Sequence, residues 1–214
     1  TAVIKANPKW MVGFSDITAL HAMMTKLGIA SVHGPMSSHL TKKEPSDTSL
    51  VCTFHILEDS LPITYFLPPN EHDIHGHAEG RLVGGNLMVA NGLAQTEYDI
   101  LNPSGEEGFI IFIEDVGEKI YAIERVMTRL HQSGALKKAK GLIVGEFTNY
   151  KPSDDFDSME DMISYWLRKW GYAHLPVLFG MPSGHGDVNY PLVLGAKASL
   201  TVAPEGSTLT MALQ

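Results

Sequence analysis

Three short stretches carry residue types that acyl-transfer chemistry uses. In WMVGFSDITALHAMM, residues 10–24, Ser15 and Asp16 stand between an apolar run and a helical pattern. In FIIFIED, residues 109–115, Glu114 and Asp115 close a run that is otherwise wholly apolar. In SGHGDVNYP, residues 183–191, His185 sits between two glycines. A serine at a strand-to-helix junction has two readings. It is a cap, its hydroxyl accepting a bond from an unpaired helix amide. Or it is a nucleophile on a tight turn, with the Asp16 N–H and the positive helix end facing a developing oxyanion. Gly13-Phe14-Ser15 supplies the first half of a G-x-S-x-G elbow, but Ile17 stands where the second glycine belongs. Taken singly, the two acids read equally as the start of a solvated loop, and His185 as an exposed histidine. Together they are more informative, because each follows an apolar run. The chain order Ser…Glu…His is one of the known orders of a catalytic triad. In a triad the imidazole takes the serine proton and the carboxylate orients and stabilises the imidazolium.

Other groupings carry less. His72, His75 and His77 lie in PPNEHDIHGHAEG, residues 68–80, with no second ligand cluster at a spacing that zinc needs, so no metal is expected. Gly84-Gly85-Asn86 lacks both the Lys-Ser/Thr of a phosphate loop and the G-x-G-x-x-G spacing. Cys52, the one cysteine, stands among apolar residues and reads as core, and a single cysteine excludes an intrachain disulfide framework. A formal charge of −8 argues against a nucleic-acid binder. No apolar run approaches the roughly 20 residues of a membrane span. With 44% hydrophobic and 19% charged residues, the chain has the balance of a soluble globular protein.

The elements that must position these residues follow from periodicity. Residues 9–14 read as a short buried strand, and Asp16 to Leu27 as a helix stopped by Gly28. Residues 29–36 read as a strand running into a loop, 37–49 as a polar connection, 50–57 as an apolar segment and 68–80 as an exposed loop. Residues 81–93 predict a strand, a Gly-Gly turn and a short helix. GFIIFIED predicts a strand covered on both faces, as in a parallel sheet. A helix over 119–134, a strand over 140–147, a helix over 158–171 and a short strand at 176–180 follow. This alternation is an α/β signature. A loop over 181–191 and a closing pair of strands around Pro204-Glu205-Gly206 complete the chain. A weak boundary falls near 60–80.

In family order, NPKWMVGFSDITALH, HGPM, EGRLVGGNL, FIEDVGEKIYAIERVMTRLHQSGAL and SGHGDVNYPLVLGAKASL resemble the LD-carboxypeptidase family of serine peptidases across nearly the whole chain. The resemblance implies a two-domain α/β serine peptidase. Residues 1–65 would be the remainder of the nucleophile domain, and 66–214 the C-terminal domain carrying the acid and the histidine. It implies Ser15 as nucleophile, Glu114 as triad acid ahead of its rivals Asp115 and Glu118, and His185 as base. It places the Asp16 amide in the oxyanion hole, and Gly34, Gly85 and Asn86 near the substrate. The expected activity is cleavage of the L-diamino acid–D-Ala bond of murein tetrapeptides in cytoplasmic peptidoglycan recycling. It would use no cofactor, nucleic acid or membrane, and would act as a homodimer. The family's earlier R-G-G-Y-G segment has no match here, so the second oxyanion donor is expected outside these residues. Arg81 and Arg125 are the candidates within them for the substrate carboxylate. Two rivals stand: a microcin C immunity-type amidase acting on aminoacyl-nucleotides, and a non-catalytic muropeptide-binding module. The amidase subgroup carries an inserted aromatic loop. Here residues 15–114 show no long insertion, and their only paired aromatics, Tyr65 and Phe66, read as strand.

Overall fold

The structure, a computed structural model, describes residues 1–58, 61–103 and 108–213. In chain order the elements are α1 (Ala2–Ala6), β1 (Val12–Gly13), a 3-10 turn (Ser15–Ile17), α2 (Thr18–Leu27), β2 (Ser31–His33), α3 (Ser37–Leu40), α4 (Thr48–Leu57), β3 (Ile63–Leu67) and β4 (Gly76–Asn86). Then come α5 (Leu87–Gly92), β5 (Phe109–Val116), α6 (Ile120–Gln132), α7 (Ala135–Lys138), β6 (Ala139–Thr148), α8 (Met159–Lys169), β7 (Val177–Gly184), β8 (Leu192–Leu194), β9 (Lys197–Ala203) and β10 (Gly206–Ala212). No helix among the described residues is long and apolar enough to cross a membrane.

Seven strands form one sheet in the order β3-β10-β9-β4-β5-β6-β7. Within it β4, β5, β6 and β7 run parallel, and β9, β10 and β3 continue it antiparallel. The apolar run of β5 is explained by its central place. Ile111 and Ile113 point into a layer with Ile123, Met127 and Leu130 of α6 and Met162, Ile163 and Leu167 of α8. Ile110 and Phe112 point to the other face, among Leu192, Val193 and Leu200. Alternate side chains thus fill different layers, and neither face is left for water. Three strands form a second sheet, β1-β2-β8, in which β1 and β2 are parallel and β8 is antiparallel to β2.

Several sequence expectations need correction. Residues 9–14 yield only two strand residues. The stretch 37–49 is not all connection: it holds α3 and the start of α4, whose N-cap Asp47 accepts bonds from the Ser49 and Leu50 amides and whose helix takes in the apolar 50–57. The segment 68–80 is not all loop, because β4 begins at Gly76 and pairs with β9 from its first residue. Turn-forming residue types hide a strand whose partner is distant in sequence. β7 likewise runs on to Gly184, with a register shift against β6 between Val144 and Glu146.

The Gly84-Gly85 pair makes no turn. Both residues lie inside β4, at φ of 131° and 135°. At Gly84 a Cβ would overlap the Phe112 carbonyl oxygen, and at Gly85 it would stand 2.6 Å from Thr18 Oγ1. The glycines let β5 and α2 approach β4 closely. Gly84→Ala should therefore destabilise the fold by about 3 kcal/mol or more, since strand backbone must move and the backbone angle is hostile to any side chain. Urea unfolding measures this, and an unchanged midpoint would refute the account.

Candidate active site

The turn that carries Ser15 is strained. Ser15 has φ +60°, a region that non-glycine residues seldom occupy and that costs of order 1–3 kcal/mol. It caps neither the 3-10 turn nor α2: those cap positions belong to Phe14 and Ile17, and neither uses a side-chain bond. The turn is anchored from behind. The Gly13 carbonyl accepts the Gly34 N–H at 3.1 Å and lies 2.9 Å from His21 Nε2. His21 Nδ1 meets Ser31 Oγ at 2.8 Å. Burial holds the His21 pKa down to about 4, with the Gly13 bond opposing, so the ring is neutral and donates from Nε2. A Cβ at Gly13 would lie 2.9 Å from Ile17 Cγ1, so the glycine lets the chain double back. The Asp16 amide is the first after the turn's serine, where helical geometry offers it no partner within the turn.

Glu114 and His185 meet directly. Glu114 is fully buried near the carboxyl end of β5, and its Oε2 lies 2.7 Å from His185 Nδ1. Burial pushes the Glu114 pKa up, and the His185 bond and charge oppose it. Burial alone would lower the His185 pKa, but the hydrogen bond and charge of Glu114, with the charge of Asp115, raise it overall. With Nδ1–H donated to Glu114, Nε2 is the nitrogen left for a proton. Glycines make this contact possible. A Cβ at Gly184 would stand 2.8 Å from Glu114 Oε2, and one at Gly145 would stand 2.5 Å from the Ser183 oxygen and 3.2 Å from Glu114 Cβ.

The Ser15 turn and the histidine loop are in contact through Phe14, whose ring lies 4.7 Å from the His185 ring, centroid to centroid. Beneath them, His33 is fully buried with neither ring nitrogen hydrogen-bonded. Its pKa is well below the usual value, from burial first and then from the nearby His21 and His185. Its ring packs edge-on to Phe112 at 4.9 Å.

Asn86 and Asp115 form a structural joint beside this pair. Asn86 Nδ2 donates to Asp115 Oδ1 at 3.1 Å, and Asn86 Oδ1 accepts the Val89 N–H at the start of α5. Asp115 also accepts the Met88 N–H at 2.8 Å. The Asn86 N–H donates to Thr18 Oγ1 at 3.0 Å, tying α2 to the end of β4. The Asn86 side chain is thus committed to protein partners. Asp115 is turned away from His185 toward these amides, which separates it from Glu114 as a triad candidate. Gly34 packs on Pro191. Arg81 lies midway along β4, five residues before Asn86 and about 16 Å away at the usual rise per residue. The Arg125 guanidinium sits over the Tyr121 ring at 5.0 Å. The structure brings neither arginine to the Glu114–His185 pair.

Sequence reasoning missed the residues that hold the histidine loop. Asn189 Oδ1 accepts the Gly184 N–H at 3.1 Å, and the Asn189 N–H donates to Ser49 Oγ of α4 at 3.0 Å. Lys43 Nζ donates to the Asp187 carbonyl at 2.8 Å. Asn189 was within view, four residues past His185, but its partners are remote in sequence. The histidines at 72, 75 and 77 do not converge: His72 faces Asp161 and His77 bonds Thr201. A cavity of about 680 Å³ lined by Lys5, Trp10, Gly28 and Leu213 lies toward the C-terminal end of α2, the end opposite Ser15.

A serine in a left-handed turn before a helix thus stands one residue from Phe14, which touches the histidine of a buried carboxylate–imidazole pair. The chain belongs to the LD-carboxypeptidase family: the family's C-terminal domain matches residues 79–200 and its N-terminal domain matches residues 1–34. A putative carboxypeptidase of Synechocystis is 36% identical over 197 residues, covering 91% of this chain and 62% of that protein. A probable murein peptide carboxypeptidase of Bacillus subtilis is 31% identical over 220 residues, covering 97% of this chain and 65% of that protein. The chain therefore spans less than two thirds of the length of these two relatives. Among solved structures, the muramoyltetrapeptide carboxypeptidase of Oxalobacter formigenes superposes with a TM-score of 0.81 at 29% identity, over 99% of this chain and 71% of that one.

Proposed function

We propose that the protein is a serine carboxypeptidase that releases the terminal D-Ala from murein tetrapeptides. Ser15 attacks the carbonyl of the L-diamino acid, and its proton passes to His185 Nε2. Glu114 holds the imidazole by Nδ1 and stabilises its positive charge. The tetrahedral oxyanion meets the Asp16 N–H, and collapse expels D-Ala as its amine takes the proton from His185. Water then hydrolyses the acyl-enzyme through the same base. The observation that carries this reading is the 2.7 Å bond from His185 to a fully buried Glu114, on a loop that touches the nucleophile turn. Gly34, Gly85 and Asn86 line the substrate's approach in this reading through backbone, since the Asn86 side chain is already bonded. Residues 1–65 close the nucleophile domain and 66–214 form the domain of the acid and the histidine. A cytoplasmic, homodimeric enzyme of peptidoglycan recycling without a cofactor completes the proposal, supported by the family resemblance.

An exopeptidase binds a free carboxylate next to the scissile bond, and donors buried for that group go unpaired when another residue follows. The full chain should therefore release D-Ala from L-Ala-γ-D-Glu-(diamino acid)-D-Ala about 100-fold faster than it cuts the pentapeptide or the L-Ala-terminated analogue. Mass spectrometry of the three digests tests this. Equal cleavage of all three, cleavage only of an aminoacyl-nucleotide amide, or binding without turnover would each refute the assignment.

A further inference from the structure

Glu146 is a carboxylate that the triad does not use, and its surroundings set it apart. It lies near the end of β6, directly after the register shift against β7, and is paired with Gly184. Its carboxyl group lies over the Cα of Gly186, where any Cβ would overlap it. The Gly186 N–H beside it favours its charged form, against the burial that disfavours it. Its Oε2 is shielded from solvent with no hydrogen-bond partner, an arrangement that costs free energy unless something requires it.

His185 is thus flanked by two glycines, each pressed on a different carboxylate. Gly184 packs on Glu114, which bonds the imidazole, and Gly186 packs on Glu146, which touches backbone only. We propose that Glu146 is a positioning residue for His185: its carboxyl group, seated on Gly186, fixes the loop so that Nδ1 stays on Glu114 and Nε2 faces the nucleophile turn. The inference rests on the triad reading above. The peptide planes on either side of His185 have no side chains of their own to hold them. One residue earlier the Ser183–Gly184 peptide is fixed by the Gly184 N–H bond to Asn189, and after His185 the Glu146 carboxyl packs on Gly186. Asp187, whose carbonyl receives Lys43, adds negative charge on the far side. Glu146 meets no cation among the described residues, so it acts through shape, a role in which an amide can replace it.

The test compares Glu146→Gln, Glu146→Ala and Gly186→Ala in the full chain, by tetrapeptide kinetics and by NMR titration of the His185 ring. Glu146→Gln should keep kcat within about threefold of wild type, because the bulk over Gly186 remains. Glu146→Ala should lower kcat about 30-fold with KM within twofold, since misplacement of a base penalises the chemical step. Gly186→Ala should do the same, and the double substitution Glu146→Ala/Gly186→Ala should cost no more than either alone, because the overlap is gone. In Glu146→Ala the His185 titration midpoint should fall toward that of a free imidazole as its hold on Glu114 loosens, and in Glu146→Gln it should stay. A wild-type kcat in Glu146→Ala, a change confined to KM, or equal damage in the Gln and Ala variants would overturn the proposal. The NMR arm needs no turnover, so a chain that never cleaves tetrapeptide would sink the proposed activity while leaving the positioning of His185 separately measured.

Discussion

Ser15→Ala abolishes turnover, with kcat down by about 10⁵-fold or more, and leaves the chain folded. The size follows from what the hydroxyl does: without it no acyl-enzyme forms, and what remains is the catalysis a site gives through binding and oxyanion donors. Folding is spared because the serine makes no capping bond that would be lost. The left-handed turn stays strained with alanine in place, and it is held from outside the serine by the Gly13 carbonyl's bonds to Gly34 and His21. Progress curves on tetrapeptide and circular dichroism of the same sample decide the matter. A folded Ser15→Ala protein with wild-type rate removes Ser15 from the chemistry, and an unfolded one shows that the turn depends on the hydroxyl.

Glu114→Gln lowers kcat by about 10⁴-fold, as expected when an imidazole loses the carboxylate that fixes its tautomer. The pH profile separates this from simple loss of packing. His185 acts as a base only when neutral, so kcat/KM rises as pH rises through its pKa. In wild type that pKa is held above the ordinary 6.5, because the hydrogen bond and charge of Glu114 outweigh burial. The acid limb of the profile therefore lies above pH 6.5. In Glu114→Gln the burial effect remains while the bond to a charge is gone, so the limb moves to lower pH. Combining Glu114→Gln with Ser15→Ala adds little to the loss from Ser15→Ala alone, because the members of one catalytic unit are not additive. An acid limb that stays in place, or losses that multiply, would mean that Glu114 does not act through His185.

Much of the frame was legible because its signals are local. The apolar run of β5, the amphipathic faces of α6 and α8 and the glycine stop after α2 each follow from periodicity over a few residues. The residue types of the candidate site were legible too, since a serine, an acid and a histidine each follow an apolar run. What was hidden depends on partners far along the chain. Gly84-Gly85 reads locally as a turn, and only the closeness of Phe112 and Thr18 makes it an extended strand. The start of β4 is disguised by His75, Gly76 and His77, and is decided by pairing with β9. Asn86, a candidate substrate ligand in the sequence, is engaged by Asp115 and Val89. Glu146 and Asn189 carried no signal at all, because nothing in their neighbourhoods shows which loop they brace.

The small sheet has a topological consequence. Its outer strand β8 follows directly after the histidine loop and pairs with β2, which in turn lies beside the strand that leads into Ser15. The chain thus returns from its far end to close a circuit begun near its start. The two halves of the site are stitched together by pairing of high sequence separation, a kind of contact that forms late and slowly. Once formed, it makes docking of the His185 loop and completion of the fold a single event: His185 cannot sit at the Ser15 turn in a chain whose last third is still unfolded.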